Sequence, residues 1–515
     1  MRPIRFPVMS NYRALVTADG EESSRFESVE RFRRNADREA STLYLIILTC
    51  STGGLQVVWS LIMSNGTPFL ITLGLPESLT ALVWAAAPLC GFLVQPYVGV
   101  MSDRCQSPWG RRKPFILGGT IGCVACMLGL AVTKPSFHLL AQIWQWNIKD
   151  GAAQTWMLLS AISWILGLNF SIQPLQAGMR ALIVDNCPAQ QQAEASAWAG
   201  RITVLGNLIG YLFGFVPVHS IMPSIDVSQF AWLCIVASFI LSATVGITCV
   251  LIQEEDPRSL PTTLGEGLSF IKTIKHIVWS AQAMSYSTFE VCKVQFFAWM
   301  GWFPYLFYIS SYVGNLYAAP RLAEDINMSS SDQEKIIEDA VRLGSLASLV
   351  FAVFALLTSI ILPIIIDKFT HDAGQKPTTA ITTAWTYTHL IFSVSMFSTI
   401  FVNSQTTAIV LAAFVGVSWA GTLWIPFALI GKDLAARNEL NARVLDGELE
   451  PAQQDQAGAI MGLHNSAISA PQILAALTSG IILWLVPRDG LGWVMRFGGC
   501  SSLAAAWFSS KMEAR

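Results

Sequence analysis

Twelve long apolar runs constrain this chain more than any other feature of its sequence. A helix needs about 20 largely apolar residues to cross the hydrocarbon core of a bilayer. Hydrophobic residues make up 53% of the 515 residues and charged residues only 13%, about half the charged share of a soluble domain. We therefore predict an all-α membrane protein with twelve transmembrane helices. The predicted spans are 42–64, 78–101, 114–133, 155–180, 200–219, 229–252, 288–312, 342–366, 379–402, 406–430, 457–486 and 491–510.

The polar segments between the spans divide the chain into two halves of six spans. The longest polar stretch between spans is 253–285, directly after the sixth span. We predict a cytoplasmic N-terminal tail over 1–41, which its polar composition predicts to be disordered. An N-terminal half over 42–252, a central cytoplasmic linker over 253–285 and a C-terminal half over 286–515 follow.

The distribution of Lys and Arg predicts the orientation of the chain. The tail and the connections after the second and tenth spans are rich in these residues, whereas the connections after the first, fifth and ninth spans have none. Because cytoplasmic loops carry the excess of cations, we expect both termini in the cytoplasm, and we expect the plasma membrane as the location. On the outer side, Asn327-Met328-Ser329 is a candidate N-glycosylation site.

The connection after the second span has a partial copy six spans later. The first copy, at 103–114, reads DRCQSPWGRRKP, and the second, at 367–377, reads DKFTHDAGQKP. In both, a cation follows an acid, a Gly lies seven residues after that acid, and Lys-Pro opens the next span. Because the copies hold the same topological position, the sequence predicts two homologous six-helix halves, arranged as parallel repeats.

This arrangement resembles the major facilitator superfamily, and longer segments narrow the resemblance. The segment SDRCQSPWGRRKPFI is similar to plant sucrose transporters and to fungal α-glucoside permeases. So are LQVVWSLIMSNGTPFLITLGLP at 55–76, QAGMRALIVD at 176–185 and QFFAWMGWFPYLFY at 295–308, and the fungal proteins resemble the chain most. The resemblance implies a secondary active transporter that takes up sucrose, maltose or related α-glucosides by alternating access, coupled to a proton.

Other function classes find no support in the sequence. It contains no Walker A motif, no metal-ligand cluster and no recognisable nucleophile arrangement. We therefore expect no enzyme, no metal and no cofactor other than the coupling proton. A net charge of −2 does not favour nucleic acid as a partner. We expect a monomer in the lipid bilayer with a small glucoside substrate.

The charged connection after the second span has two interpretations. Its cations could serve only as topology signals. An acid at a helix end can instead pair with Arg or face a helix N-terminus, and a Gly permits a tight loop. The resemblance implies that this connection clamps the halves together in one state. The predicted gating residues are Asp103, Arg104, Gly110, Arg111 and Arg112, with Asp367 and Lys368 in the second copy.

The fourth span carries polar residues at spacings of four, three and four, which places them on one helical face. Such groups must face the bundle interior or a cavity, although Arg180 could also extend to the membrane surface. Sugar sites combine flat aromatic faces with amide and guanidinium groups. The spans offer such aromatics, for which packing and lipid contact are equally good explanations. The predicted substrate-binding residues are Gln56, Trp59, Asn169, Gln173, Gln176, Arg180, Trp302 and Tyr305.

One departure from the family concerns the proton. Asn169 stands where plant sucrose transporters carry an Asp, and an amide does not titrate, so the proton site cannot be carried over. Asp185, Glu290 and His464 remain as candidates, although a surface position, an ion pair and helix packing would explain them equally well. The departure also leaves open an exporter of a glycosylated metabolite. A sugar sensor that binds without transport is a third possibility.

Overall fold

The computed structural model describes residues 40–75, 83–145, 151–215, 228–254, 270–324, 329–373, 376–445, 457–486 and 489–513. These residues form helices and contain no β-strand. Residues 1–39 of the predicted tail and the glycosylation candidate Asn327 lie outside the described residues. The thirteen α-helices of the described residues are α1 Thr42–Thr72, α2 Ala86–Asp103, α3 Lys113–Trp144, α4 Gly151–Asp185, α5 Gln192–Phe215, α6 Gln229–Leu251, α7 Phe270–Gln282, α8 Tyr286–Glu324, α9 Ser330–Ala373, α10 Pro377–Ser398, α11 Gln405–Leu445, α12 Ala457–Leu485 and α13 Gly490–Glu513.

Twelve of these helices coincide with the twelve predicted spans, so the all-α prediction is confirmed. Several extend beyond the apolar run that predicted them, because helical hydrogen bonds continue where the side chains become polar. By length and composition alone, seven of the described helices can cross a membrane, among them α3, α4 and α6. The thirteenth helix, α7, lies in the predicted linker and was not indicated by the spans.

The two halves repeat the same packing pattern. In the N-terminal half, α1 packs against α5 and α6, α3 against α4 and α6, and α2 against α4. The equivalent helices of the C-terminal half, α8 to α13, form the same pairs. Each half has its own cluster of buried apolar side chains. Both Lys-Pro pairs of the sequence repeat open helices, with Pro114 in the first turn of α3 and Pro377 at the start of α10. In the first turn a backbone N–H has no partner within the helix, so the missing N–H of Pro costs no helical hydrogen bond.

The halves meet chiefly through α2 against α12 and α5 against α9 and α11. The backbones of α2 and α12 touch at Gly99 and Gly458, where a Cβ on Gly458 would lie 2.6 Å from the carbonyl oxygen of Gly99. Both residues lie near the helix ends that adjoin the connection 104–112. The halves are therefore closed at this end of the bundle, which we call the basic face after Arg104, Arg111 and Arg112.

Small residues bring α1 and α5 equally close within the N-terminal half. Gly206 lies against the carbonyl oxygen of Gly53, and a Cβ on Gly210 would lie 2.6 Å from the Cβ of Ser60. Since helices in a bilayer associate through close van der Waals contact, this surface holds the half together.

Replacing Gly206 with Ala tests this contact. The new Cβ would meet the Gly53 carbonyl oxygen and lie 3.0 Å from the Gly53 Cα, so we expect a loss of about 1–3 kcal/mol through overpacking. The midpoint of thermal unfolding in detergent should fall. Gly246→Ala is the matched control, because a Cβ there meets open space. Equal midpoints for the two variants would contradict this account.

Candidate functional site

The carboxylate of Asp103 connects the two halves at the basic face. Asp103 ends α2, and its two oxygens accept hydrogen bonds from the backbone N–H groups of Gly458 and Ala459, both at 2.8 Å. These groups lie in the first turn of α12, where backbone donors have no partner within the helix. A carboxylate is stabilised there by the positive end of the helix dipole. The N-terminal half thus caps a helix of the C-terminal half.

Arg112 fixes the position of Asp103. Its side chain is fully buried, with Nη1 2.7 Å from Asp103 Oδ1 and Nε 2.8 Å from Asp185 Oδ2. It also donates a hydrogen bond to Ser102 Oγ at 2.7 Å. Asp185, at the end of α4, also pairs with a second cation, since Nη2 of Arg111 lies 3.3 Å from its Oδ2. We call Asp103, Arg111, Arg112 and Asp185 the clamp, in which buried charges are paired with good geometry.

Glu254, directly after α6, holds the connection itself in place. Its oxygens accept from the backbone N–H groups of Arg112 and Lys113, both at 2.8 Å. Gly110 adopts a φ of +107°, a region that strongly favours Gly. A Cβ there would lie 2.7 Å from Glu254 Oε2. Gly110 therefore forms the predicted tight loop, and two features require Gly there: the positive φ and the absence of space for a Cβ beside Glu254.

The remaining predicted gating residues lie outside this network. Arg104 is half-buried, and burial lowers its pKa while the nearby Asp103 opposes that change. Asp367 and Lys368 lie within α9 and are exposed, and Asp367 is 3.8 Å from His371 on the same helix. The structure therefore places Asp103 of the first copy between the halves, whereas Asp367 and Lys368 of the second copy lie at the surface. The first copy leaves the helix after Asp103, whereas α9 continues to Ala373.

Arg180 reaches across the junction of the halves from α4. Its Nη1 donates to Asn465 Oδ1 of α12 at 2.9 Å, and its guanidinium lies 4.7 Å from the centre of the Phe427 ring of α11. The side chain is half-buried. Among the described residues, no carboxylate forms an ion pair with it. The guanidinium therefore carries a charge that neighbouring protein groups solvate without neutralising it.

Neighbouring amides set the orientation of Arg180. With its oxygen turned towards the guanidinium, Gln176 accepts from Nη2 at 2.6 Å. Asn465 donates to the carbonyl oxygen of Gly91 in α2 at 3.1 Å and to Ser469 Oγ at 3.2 Å. Asn465 thus joins α4, α2 and α12. Its only sequence signal is a polar side chain inside an apolar run, and Phe427 has no sequence signal at all.

The other two residues of the polar face on α4 behave differently. Asn169 and Gln173 are buried, and their amide groups donate to the carbonyl oxygens of Ile165 and Asn169 at 3.0 and 2.9 Å. Both bonds lie within α4. The predicted polar face of α4 therefore has two parts. Asn169 and Gln173 donate within the helix, whereas Gln176 and Arg180 lie within hydrogen-bond distance of Asn465 in the other half.

In the N-terminal half, Gln56 belongs to a hydrogen-bonded group that includes a residue not predicted from the sequence. Asn207 Oδ1 of α5 accepts from Gln56 Nε2 at 2.7 Å and from Ser60 Oγ at 2.6 Å. Trp59 is half-buried against the apolar cluster of this half. Gln56 therefore connects α1 to α5.

The aromatic candidates of the C-terminal half lie inside a packed aromatic cluster. Trp302 and Tyr305 are each 1% exposed. The Trp302 ring centre lies 4.3 Å from that of Phe392 and 4.7 Å from that of Trp419, and its Nε1 donates to Thr422 Oγ1 at 3.1 Å. Protein atoms surround both predicted residues, so a sugar could touch them only after repacking in another state.

The three candidates for the proton site have different surroundings. Asp185 belongs to the clamp. Glu290 is buried, with Oε1 2.7 Å from Nζ of Lys293. His464 is buried edge-on against the Phe427 ring, with centres 5.0 Å apart, and neither ring nitrogen has a hydrogen-bond partner among the described residues. His464 thus shares Phe427 with Arg180.

Residues 45–476 match the family model of the Major Facilitator Superfamily. The chain belongs to this superfamily. It is 30% identical to the general alpha-glucoside permease of Schizosaccharomyces pombe over 96% of both chains. It is 27% identical to the sucrose transport protein SUT1 of Oryza sativa subsp. japonica over 89% of this chain and 85% of that protein. The fold matches the proton:xylose symporter XylE with a TM-score of 0.56 at 15% identity, over 92% and 96% of the two chains.

Membership in the major facilitator superfamily confirms the predicted fold of twelve transmembrane helices in two six-helix halves. The chain is a multi-pass membrane protein of a transporter superfamily and not an enzyme.

Replacing Arg112 with Ala tests the clamp. The change leaves Asp103 and Asp185 buried without their shared cation, which costs about 3–5 kcal/mol where a buried pair is broken. We expect the basic face to open more often, and a cysteine placed at the buried Ala459 should react with a maleimide at least about tenfold faster. Arg104→Ala is the control and should leave the labelling rate unchanged. Equal rates in the two variants would show that the clamp does not hold the halves together.

Proposed function

We propose that the protein takes up α-glucosides such as sucrose or maltose by alternating access, coupled to a proton. Its sequence similarity to an alpha-glucoside permease and to a sucrose transport protein supports this substrate class. The observation that carries the proposal is Arg180, a cation that no carboxylate of the described residues neutralises, held between the halves by Asn465 and Phe427.

Arg180 and Gln176 are suited to bind sugar hydroxyl groups. A guanidinium presents several donors in a rigid plane and can bind two neighbouring oxygens at once, and an amide supplies both a donor and an acceptor. Because Arg180 lies on α4 and its contacts lie on α11 and α12, a ligand bound there would affect how the two halves fit together. A ligand shifts such an equilibrium only if it binds the two states differently.

The clamp favours the state in which the halves are closed at the basic face. Its bonds from Asp103 to Gly458 and Ala459 exist only while the halves are closed at the basic face. They stabilise the state in which the site is shut off from that side. During transport the bonds must break, and the sugar held at Arg180 must favour the rearrangement that breaks them.

We place the basic face and both termini in the cytoplasm of a plasma-membrane protein. The excess of Lys and Arg in the connections at this face supports the orientation. A single chain supplies both halves of the junction, which supports a monomeric transporter. We propose that the coupling proton binds at one of the three candidates Asp185, Glu290 and His464, of which His464 shares the Phe427 ring with Arg180.

Uptake measured against external pH tests this function directly. We expect a transport-deficient host that expresses the protein to accumulate labelled sucrose or maltose, and to do so faster at acidic pH. Accumulation should stop when a protonophore is added. A β-glucoside such as cellobiose should not accumulate. No uptake of any glucoside at any pH would refute the proposal. Efflux without accumulation would replace import by export.

Replacing Arg180 tests the site. Arg180→Ala should reduce uptake by about 100-fold or more, because at least two charge-assisted hydrogen bonds are lost. Arg180→Lys should recover little of it, since an ammonium cannot reproduce a planar fork. The exposed Arg342→Ala is the control and should transport normally at equal surface expression. Normal uptake by Arg180→Ala would mean that Arg180 only extends to the membrane surface and that sugar binds elsewhere.

A further inference from the structure

Helix α7, Phe270–Gln282, lies beside the clamp and has an unusual pattern of burial. It packs against α2 and α12, the two helices that the clamp joins. Of its side chains whose burial is described, those of Thr273 and Ser280 are completely buried, seven residues apart on one line of the helix. At these contacts α7 therefore turns small polar side chains towards the bundle.

Three apolar side chains of α7 point away from the bundle. Ile271, Ile274 and Val278 are 65%, 42% and 52% exposed. Their spacing of three and four residues places them on one face of the helix. A helix that packed on a protein surface in water would bury this face and expose Thr273 and Ser280. The reversal indicates that the surroundings of the apolar face are not water.

A third face of α7 is basic. Lys272 and Lys275 are exposed and three residues apart. At about 100° per residue, Lys275 lies nearly opposite the line of Thr273 and Ser280, next to the apolar face, and Lys272 lies about a quarter turn from that line. Trp279 is 43% exposed on the same side of the helix, one turn after Lys275, and Trp is typical of the boundary between hydrocarbon and water.

The position of α7 along the chain shows which surroundings it meets. It ends at Gln282, and the membrane-spanning helix α8 begins four residues later at Tyr286. Such a short connection keeps α7 at the level of the membrane surface. We propose that α7 docks on the lipid leaflet at the basic face, with Ile271, Ile274 and Val278 among the acyl chains and Lys272 and Lys275 binding anionic lipid headgroups.

The proposed lipid contact lies against the gate. Arg104, which directly follows the clamp residue Asp103, is close enough to His276 of α7 to lower the pKa of that imidazole, after the larger effect of its burial. Headgroups bound to α7 would therefore lie beside the helix ends that separate when the basic face opens.

Quenching of Trp279 fluorescence by brominated lipids tests the proposal in the full-length protein. The protein is reconstituted into vesicles of brominated phosphatidylcholine, or of phosphatidylcholine with brominated phosphatidylglycerol, and the signal of a Trp279→Phe variant is subtracted. We expect both lipids to quench Trp279 and, at equal bromine content, phosphatidylglycerol to quench it more. In the double variant Lys272→Gln/Lys275→Gln this preference should disappear, since each lysine contributes about fivefold in anionic-lipid affinity.

The double variant Lys335→Gln/Lys376→Gln is the matched control, because it removes two exposed lysines elsewhere and changes the net charge equally. It should keep the preference for phosphatidylglycerol. Two results would overturn the proposal. If the Trp279→Phe variant is quenched as strongly as the original protein, Trp279 does not contact lipid. If the preference for phosphatidylglycerol remains after the loss of Lys272 and Lys275, these lysines do not bind the anionic headgroups.

Discussion

The bond between Asp103 and the first turn of α12 holds the two halves of the molecule in register at the basic face. A carboxylate in this buried setting needs more than one partner, because the low dielectric that strengthens each bond also makes an unpaired charge costly. Arg112 supplies that partner and is itself neutralised by Asp185. Glu254 then holds the backbone that carries Arg112. Four helix ends of one half therefore act together to present one carboxylate to the other half.

Arg112 and Arg180 show how the surroundings decide what the same side chain does. Arg112 touches two carboxylates and is fully enclosed, so its charge serves the structure. Arg180 is held by amide oxygens and an aromatic face, so its charge remains available for another polar group. Both guanidinium groups lie near the junction between the halves, but only that of Arg112 is neutralised by carboxylates among the described residues.

The internal repeat is preserved in the fold but not in its chemistry. Equivalent helices pack in both halves, and both Lys-Pro pairs begin helices. The first copy of the charged motif nevertheless forms the clamp, whereas the second remains within α9 with Asp367 exposed. The aromatic residues also divide unequally, with Trp302, Tyr305 and Trp419 packed together inside the C-terminal half. The two copies of the motif thus share a topological position but differ in their contacts.

The sequence by itself determined the twelve helices, the two halves and the position of the charged connection, because hydropathy, repeats and charge are local properties of the chain. It also indicated the polar face of α4 through its spacing. Only the tertiary structure decided which of those polar groups meet the other half, since Arg180 and Asn465 are 285 residues apart. The same holds for Glu254 and Asn207, whose partners lie on other helices, and for Trp302, whose burial depends on rings from three helices. Helix α7 was not predicted because its lysines and polar residues resemble a linker, and only the packing shows which of its faces is exposed.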